Sequence, residues 1–157
     1  MNTETLTGGC QCGAVRFRIE GAPGRASLCH CRMCQKAFGG FFGPLVTAEH
    51  GVTWTRGAPK HFRSSNKVNR GFCGDCGTPL TFEPDGWPVE IAIGALDDPT
   101  KAPPTIQHVV EQRMPWLGEM IDLPVRPLED QAEAAEFYAS IRPNQHPDHD
   151  TDEWPVG

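Results

Sequence analysis

No stretch of this chain approaches the run of about twenty apolar residues that a membrane-crossing helix requires. Apolar residues make up only 38% of it. Its first residues, Met1–Leu6, are polar, so neither a secretory leader nor a membrane partner is expected. Internal repeats are missing, and so is any break in composition that would mark a second domain. Long helical periodicity is scarce. Of 157 residues, 17 are Gly and 15 are Pro, a share that favours short strands and turns over helices. A chain so rich in turns buries little apolar area per residue, and metal crosslinks would supply stability that its core does not. The seven cysteines, odd in number and including a C-x-x-C pair, also argue against a secreted disulfide framework. A reducing cytoplasm is the expected setting. One zinc-binding domain of catalytic type is expected over 1–142, followed by a flexible acidic tail over 143–157.

Charge is present but unevenly spread. The formal net charge is −6, yet residues 1–76 hold ten Lys/Arg against four Asp/Glu, and residues 77–157 hold four against sixteen. Arg and Lys in the first half can offset metal thiolates and solvate strand faces, or bind a small anionic substrate. A nucleic-acid partner is not expected, because the overall balance is acidic and basic residues do not interleave with aromatics.

The residue pattern reads as mainly β. Val15, Phe17 and Ile19 alternate with Arg16 and Arg18, as a half-buried strand requires. Further short strands are expected over 26–29, 41–46, 52–55, 60–63, 68–72, 80–83, 89–96 and 106–111, separated by Gly and Pro. One helix is expected, roughly 129–141. Asp130 with Glu133 resembles a capping box there, Ala134, Phe137, Tyr138 and Ile141 recur at helical spacing, and Pro143 ends it.

Against this background the cysteines stand in three clusters: Cys10 with Cys12, then Cys29, Cys31 and Cys34, then Cys73 with Cys76. Thiolates are soft ligands, and tetrahedral sulfur sites select Zn²⁺ or iron. Seven ligands make one closed four-coordinate site and one three-cysteine site with an open position. Cys10, Cys12, Cys73 and Cys76 would form the closed, structural site, with Gly77 supplying the positive φ that a zinc knuckle needs. Cys29, Cys31 and Cys34 would leave a fourth position for water or a substrate atom. A closed Cys₃His site, with His30, His50, His61 or His108 as fourth ligand, is the alternative. Arg32 and Lys36 flank the open site and are the candidate substrate-binding cations. The basic run Arg56, Lys60, His61, Arg63, Lys67 and Arg70 is either a further anion site or a solvated strand face. Phe38, Phe41 and Phe42 would wall a pocket or belong to the core, and Trp116 is expected to anchor the last strand in the core.

Three segments carry a resemblance to a known family: Gly8-Gly9-Cys10-Gln11-Cys12-Gly13, Cys29-His30-Cys31-Arg32-Met33-Cys34-Gln35-Lys36, and Gly71-Phe72-Cys73-Gly74-Asp75-Cys76-Gly77-Thr78. Gly94-Ala95-Leu96-Asp97-Asp98-Pro99 and Met114-Pro115-Trp116-Leu117 add to it. From about Gly8 to about Leu123 the chain resembles the glutathione-dependent formaldehyde-activating enzymes, also called centromere-protein-V-like. The resemblance implies a zinc-stabilised β-tent fold of short antiparallel strands. It implies a structural zinc on Cys10, Cys12, Cys73 and Cys76, and a more labile one on Cys29, Cys31 and Cys34. It also implies condensation of glutathione, or a related small thiol, with formaldehyde or another aldehyde. That activity is classed as a carbon–sulfur lyase, with Cys29, Cys31 and Cys34 at the catalytic metal. A non-catalytic, zinc-stabilised protein-interaction module is the alternative the same fold allows. Oligomeric state is left open.

Overall fold

A computed structural model describes residues 5–155. Ten short strands form two sheets. They are β1 (Thr7–Gly9), β2 (Arg16–Ile19), β3 (Ala26–Cys29), β4 (Gly43–Thr47), β5 (Val52–Arg56), β6 (Lys60–Ser65), β7 (Val68–Phe72), β8 (Pro79–Pro84), β9 (Glu90–Ala92) and β10 (Ile106–His108). A three-stranded sheet has the order β1-β2-β5 and a seven-stranded one the order β10-β3-β4-β9-β8-β7-β6. All pairings among the described residues are antiparallel except β10 on β3, which is parallel. Its cause is connectivity: β10 returns to the sheet edge after 3₁₀ turns at Ile93–Ala95 and Pro99–Lys101, not through a hairpin.

The core lies where the sheets meet. Phe17, Ile19, Leu80, Ile91 and Val46 are its largest fully buried apolar side chains, and Phe17 meets Trp54 edge to face at 5.9 Å. The alternation read along β2 holds for Phe17, Ile19 and Arg18, but Arg16 is buried too. Its guanidinium forms two bonds of 2.7 Å to Asp97 and also donates to Asp150.

Two helices flank the sheets. The expected C-terminal one is α2 (Leu128–Ser140). Pro127 occupies its N-cap and no side chain caps it, so the capping box at Asp130 does not form. The expected apolar face does not reach the core: α2 buries none of its residues, and Phe137, Tyr138 and Ile141 are exposed. A shorter helix, α1 (Arg32–Phe38), was hidden inside the cysteine motif. Cys31 caps its start, and Gly39 ends it in the left-handed conformation at φ 61°. Of the tail expected over 143–157, residues 156–157 lie outside the described residues, and the rest lies against the turn that carries Cys10 and Cys12. The His146 amide donates to the Gln11 carbonyl, the Arg56 guanidinium to Thr151, and the Trp154 indole to the Cys12 carbonyl.

Candidate functional site

Each cysteine cluster is delivered by a strand end. The turn after β1 carries Cys10 and Cys12, and the loop between β7 and β8 carries Cys73 and Cys76. The two turns are knit together. The Cys73 amide donates to the Thr78 carbonyl, the Gln11 amide to Thr78 Oγ1, and Gly77 turns the chain at φ 80°. The four sulfurs all lie within 4.8 Å of one another. Cys10 Sγ is 3.6 Å from Cys12 Sγ, which is 3.9 Å from Cys73 Sγ. A disulfide would need about 2.05 Å. Four sulfurs around one zinc at about 2.3 Å would lie about 3.8 Å apart in a tetrahedron, so the spacing fits a metal cage. Donors also face the sulfurs: the Val15 amide reaches Cys10 at 3.3 Å and the Asp75 amide reaches Cys73 at 3.4 Å. Burial pushes the Cys10 thiol up to about 12. At Cys76 burial also raises the thiol, but hydrogen bonds from Thr78 and Cys12 outweigh it and bring it down to about 6. Four partly desolvated sulfurs that receive N–H groups are a strong demand for a soft cation.

The second cluster sits at the end of β3 and the start of α1. The Sγ atoms of Cys29, Cys31 and Cys34 lie within 4.8 Å of one another. Among the described residues, no histidine nitrogen or carboxylate oxygen joins either cluster at that distance. His30 is fully buried and turned away, with Nε2 on the Gln107 side chain at 2.8 Å. His61 pairs with Glu83, and His50 lies against Gly21. His108 comes nearest to the role, lining a cavity of about 230 Å³ with Cys29 and Cys34. Cys29 and Cys34 share their protons unequally. The hydrogen bond with Cys34 draws Cys29 down to about 5, and that bond together with burial pushes Cys34 up.

Two larger hollows adjoin α1. One, of about 440 Å³, is lined by Arg32, Met33, Lys36, Phe62, Ser64 and Arg70. The other, of about 360 Å³, shares Phe62 and Arg70 and adds Phe38 and Phe72. Arg32 and Lys36 thus stand together at one hollow beside the three-cysteine cluster, both exposed. The basic run around them does not act as a unit. Arg63 pairs with Asp85 and Arg56 binds the C-terminal segment. Arg70 is 7% exposed, with Nη2 donating to Cys34 Sγ at 3.3 Å. A solvated face was one reading of that run, and for Arg70 the structure overturns it: strand alternation turns this one inward. Phe38 walls the second hollow, Phe42 meets the His30 ring, and Phe41 stacks edge to face on Trp116 at 4.6 Å. Trp116 is 42% exposed and so belongs to that surface pair, not to the core. Glu90, on β9, was not singled out by its sequence. It lines the 230 Å³ cavity, and burial raises its carboxyl above the ordinary range. An isolated glutamate in a Val-Glu-Ile run carries no signal of such a place, which only the β4–β9 pairing creates.

Two comparisons bear on these clusters. The sequence model of the family described as glutathione-dependent formaldehyde-activating enzyme matches residues 5–112, which contain all seven cysteines. A protein of Halomonas elongata, provisionally named a glutathione-dependent formaldehyde-activating enzyme, is 28% identical over 124 residues. The matched region covers 71% of this chain and 79% of that protein.

Proposed function

The chain belongs to the glutathione-dependent formaldehyde-activating enzyme family, and on that premise we propose that it is a zinc-dependent enzyme of the carbon–sulfur lyase type. It joins glutathione or a related small thiol to an aldehyde, giving S-hydroxymethylglutathione or a similar adduct. The observation that carries this reading is the second cluster: three sulfurs, no fourth protein donor among the described residues, and an adjoining hollow rimmed by Arg32 and Lys36. The four sulfurs of Cys10, Cys12, Cys73 and Cys76 suit a closed structural zinc, and those of Cys29, Cys31 and Cys34 a second zinc with an exchangeable position. When bound there, zinc supplies Lewis acidity that keeps a thiol deprotonated near neutral pH.

The chain's own residues do the rest. Arg32 and Lys36 present cations to the two carboxylates of glutathione, orienting its sulfur toward the cluster. Met33 and Phe62 give the same hollow an apolar wall. Arg70 holds the Cys34 sulfur in place. The cytoplasm suits this chemistry, because it keeps the seven cysteines and the substrate thiol reduced. No helix among the described residues is long and apolar enough to cross a membrane.

Exchange spectroscopy on glutathione and formaldehyde, with and without the protein, measures adduct formation directly. The protein should raise the rate above the spontaneous one, and Cys31→Ser should abolish the gain. Absence of any gain, together with absence of glutathione binding by calorimetry, overturns the reading. It would favour a protein-interaction module, for which the uncovered apolar side chains of α2 are the supporting observation.

A further inference from the structure

Arg70 is the least expected charge in this fold. It sits on β7 with 7% of its surface exposed, and among the described residues no carboxylate pairs with it. Three contacts fix its guanidinium: Nη2 on Cys34 Sγ at 3.3 Å, Nε on Ser64 Oγ at 3.0 Å, and the Phe82 ring beneath it at 5.0 Å. Nη1 is buried and has no partner. Leaving a charged donor buried and unpaired is costly, so such a group calls for an acceptor. Arg70 lines both hollows beside α1.

We propose that Arg70 is the oxyanion-binding residue of this site: Nη1 donates to the carbonyl oxygen of the aldehyde while Nη2 stays on Cys34. One rigid guanidinium then spans the sulfur cluster and the oxygen on which charge develops. The inference rests on the thiol–aldehyde reading above. In the step, the substrate thiolate attacks the carbonyl carbon and a C–S bond forms. The C=O π pair moves to oxygen, and the proton lost by the thiol returns to that oxygen through solvent. Arg70 keeps its protons throughout and is neither acid nor base. Loss of one donor to a developing oxyanion costs on the order of 100- to 1000-fold in rate. Lysine keeps the charge but lacks the fork that serves two acceptors at once. Arg32 and Lys36, both exposed, have the separate task of holding the thiol's carboxylates.

Three measurements on zinc-loaded protein test the assignment: the exchange rate, glutathione affinity by calorimetry, and calorimetric titration of formate, a one-carbon oxyanion, into glutathione-saturated protein. Arg70→Lys should keep its zinc and its glutathione affinity within about threefold, slow adduct formation about 100-fold, and weaken formate at least about tenfold. Ser64→Ala frees Nε without removing the charge, and it should slow the reaction about three- to tenfold with glutathione affinity unchanged. It decides the matter if Arg70→Lys fails to fold. Arg70→Lys as fast as the wild type overturns the assignment alone. Variants that lose glutathione affinity in step with rate overturn it too, placing Arg70 in thiol binding. A wild type that gives no acceleration overturns the thiol–aldehyde reading and this assignment together.

Discussion

Arg16 shows how a residue's neighbours in space overrule its neighbours in sequence. Its place between Ala14-Val15 and Phe17 marks it as the outward member of an alternating strand, yet only 3% of its side chain is exposed. Asp97 and Asp150 reach it from 81 and 134 residues away, and no local pattern announces such partners. Burial works against the Asp97 carboxylate, but the Arg16 guanidinium and the Thr7 hydroxyl outweigh it and hold that carboxyl below the usual range. Asp97→Asn should therefore destabilise the fold by about 3 kcal/mol at neutral pH, read as a shift in denaturant midpoint at fixed zinc. A group whose folded pKa is depressed contributes above its unfolded pKa, near pH 4, and loses that contribution as pH falls through the folded value. The difference between wild type and variant should shrink below about pH 4. A difference that stays constant with pH would mean that the pair is not the source. Arg70 is the same lesson at the site: a basic run read along the chain separates, by strand alternation, into outward ion pairs and one inward guanidinium.

At the scale of elements, the strands were legible and their joints were not. The 26–29 and 68–72 strands occur with those bounds, and the 52–55, 60–63 and 80–83 strands run one or two residues longer. Most of their ends fall at Gly, Pro or cysteine turns that act locally, the turn at Asn66-Lys67 between β6 and β7 being the exception. The 89–96 stretch is strand only over Glu90–Ala92, because the chain turns into a 3₁₀ helix at the end of β9. The α1 helix was missed since C-x-C-x-x-C reads as a loop, although the same spacing sets Cys31 at an N-cap and Cys34 within the first turn, where its amide donates to Cys31 Sγ at 3.4 Å. The two cysteine clusters were legible as groups because knuckle spacing is a local property. The cross-pairing of Cys10 and Cys12 with Cys73 and Cys76, argued from the count of seven, is matched by the sulfur distances. These elements predict different mutant behaviour. The four-cysteine cluster ties β1 to β7 and β8, so Cys73→Ser should lose zinc and melt far below the wild type, since structural zinc binding is worth on the order of 10 kcal/mol in small peptides. The three-cysteine cluster joins only β3 to α1, so Cys31→Ser should stay folded with one zinc equivalent fewer. Circular dichroism melts with metal analysis check both, and equal melting would contradict this division of roles.

For the molecule as a whole, the charge asymmetry of the sequence is met in part inside the fold. The acidic half folds back on the basic half: Asp97 and Asp150 close on Arg16, Asp85 on Arg63, and Glu83 on His61. Among the described residues, two of the ten Lys/Arg of residues 1–76, Arg16 and Arg63, are paired in this way. The C-terminal segment completes the fold in one place, the turn bearing Cys10 and Cys12. His146 is 5% exposed there, with its amide 2.7 Å from the Gln11 carbonyl, while the Trp154 indole lies 2.7 Å from the Cys12 carbonyl. These bonds do not touch the sulfurs, but they fasten the backbone that presents two of the four. Truncation after Pro143 removes Asp150 from Arg16, Thr151 from Arg56 and the indole from Cys12 together. Losing them should cost about 2 kcal/mol and lower the melting temperature by about 5 °C. The truncated protein should also give up its four-cysteine zinc to a chelator faster, because opening of the turn is the step that exposes the metal, while release from the three-cysteine site keeps its rate. A colorimetric chelator, added to the zinc-loaded full chain and to the truncated one, should resolve two phases in each and show only the slower one accelerated. An unchanged slow phase with an unchanged melt would mean that the segment rests on the turn without stabilising it.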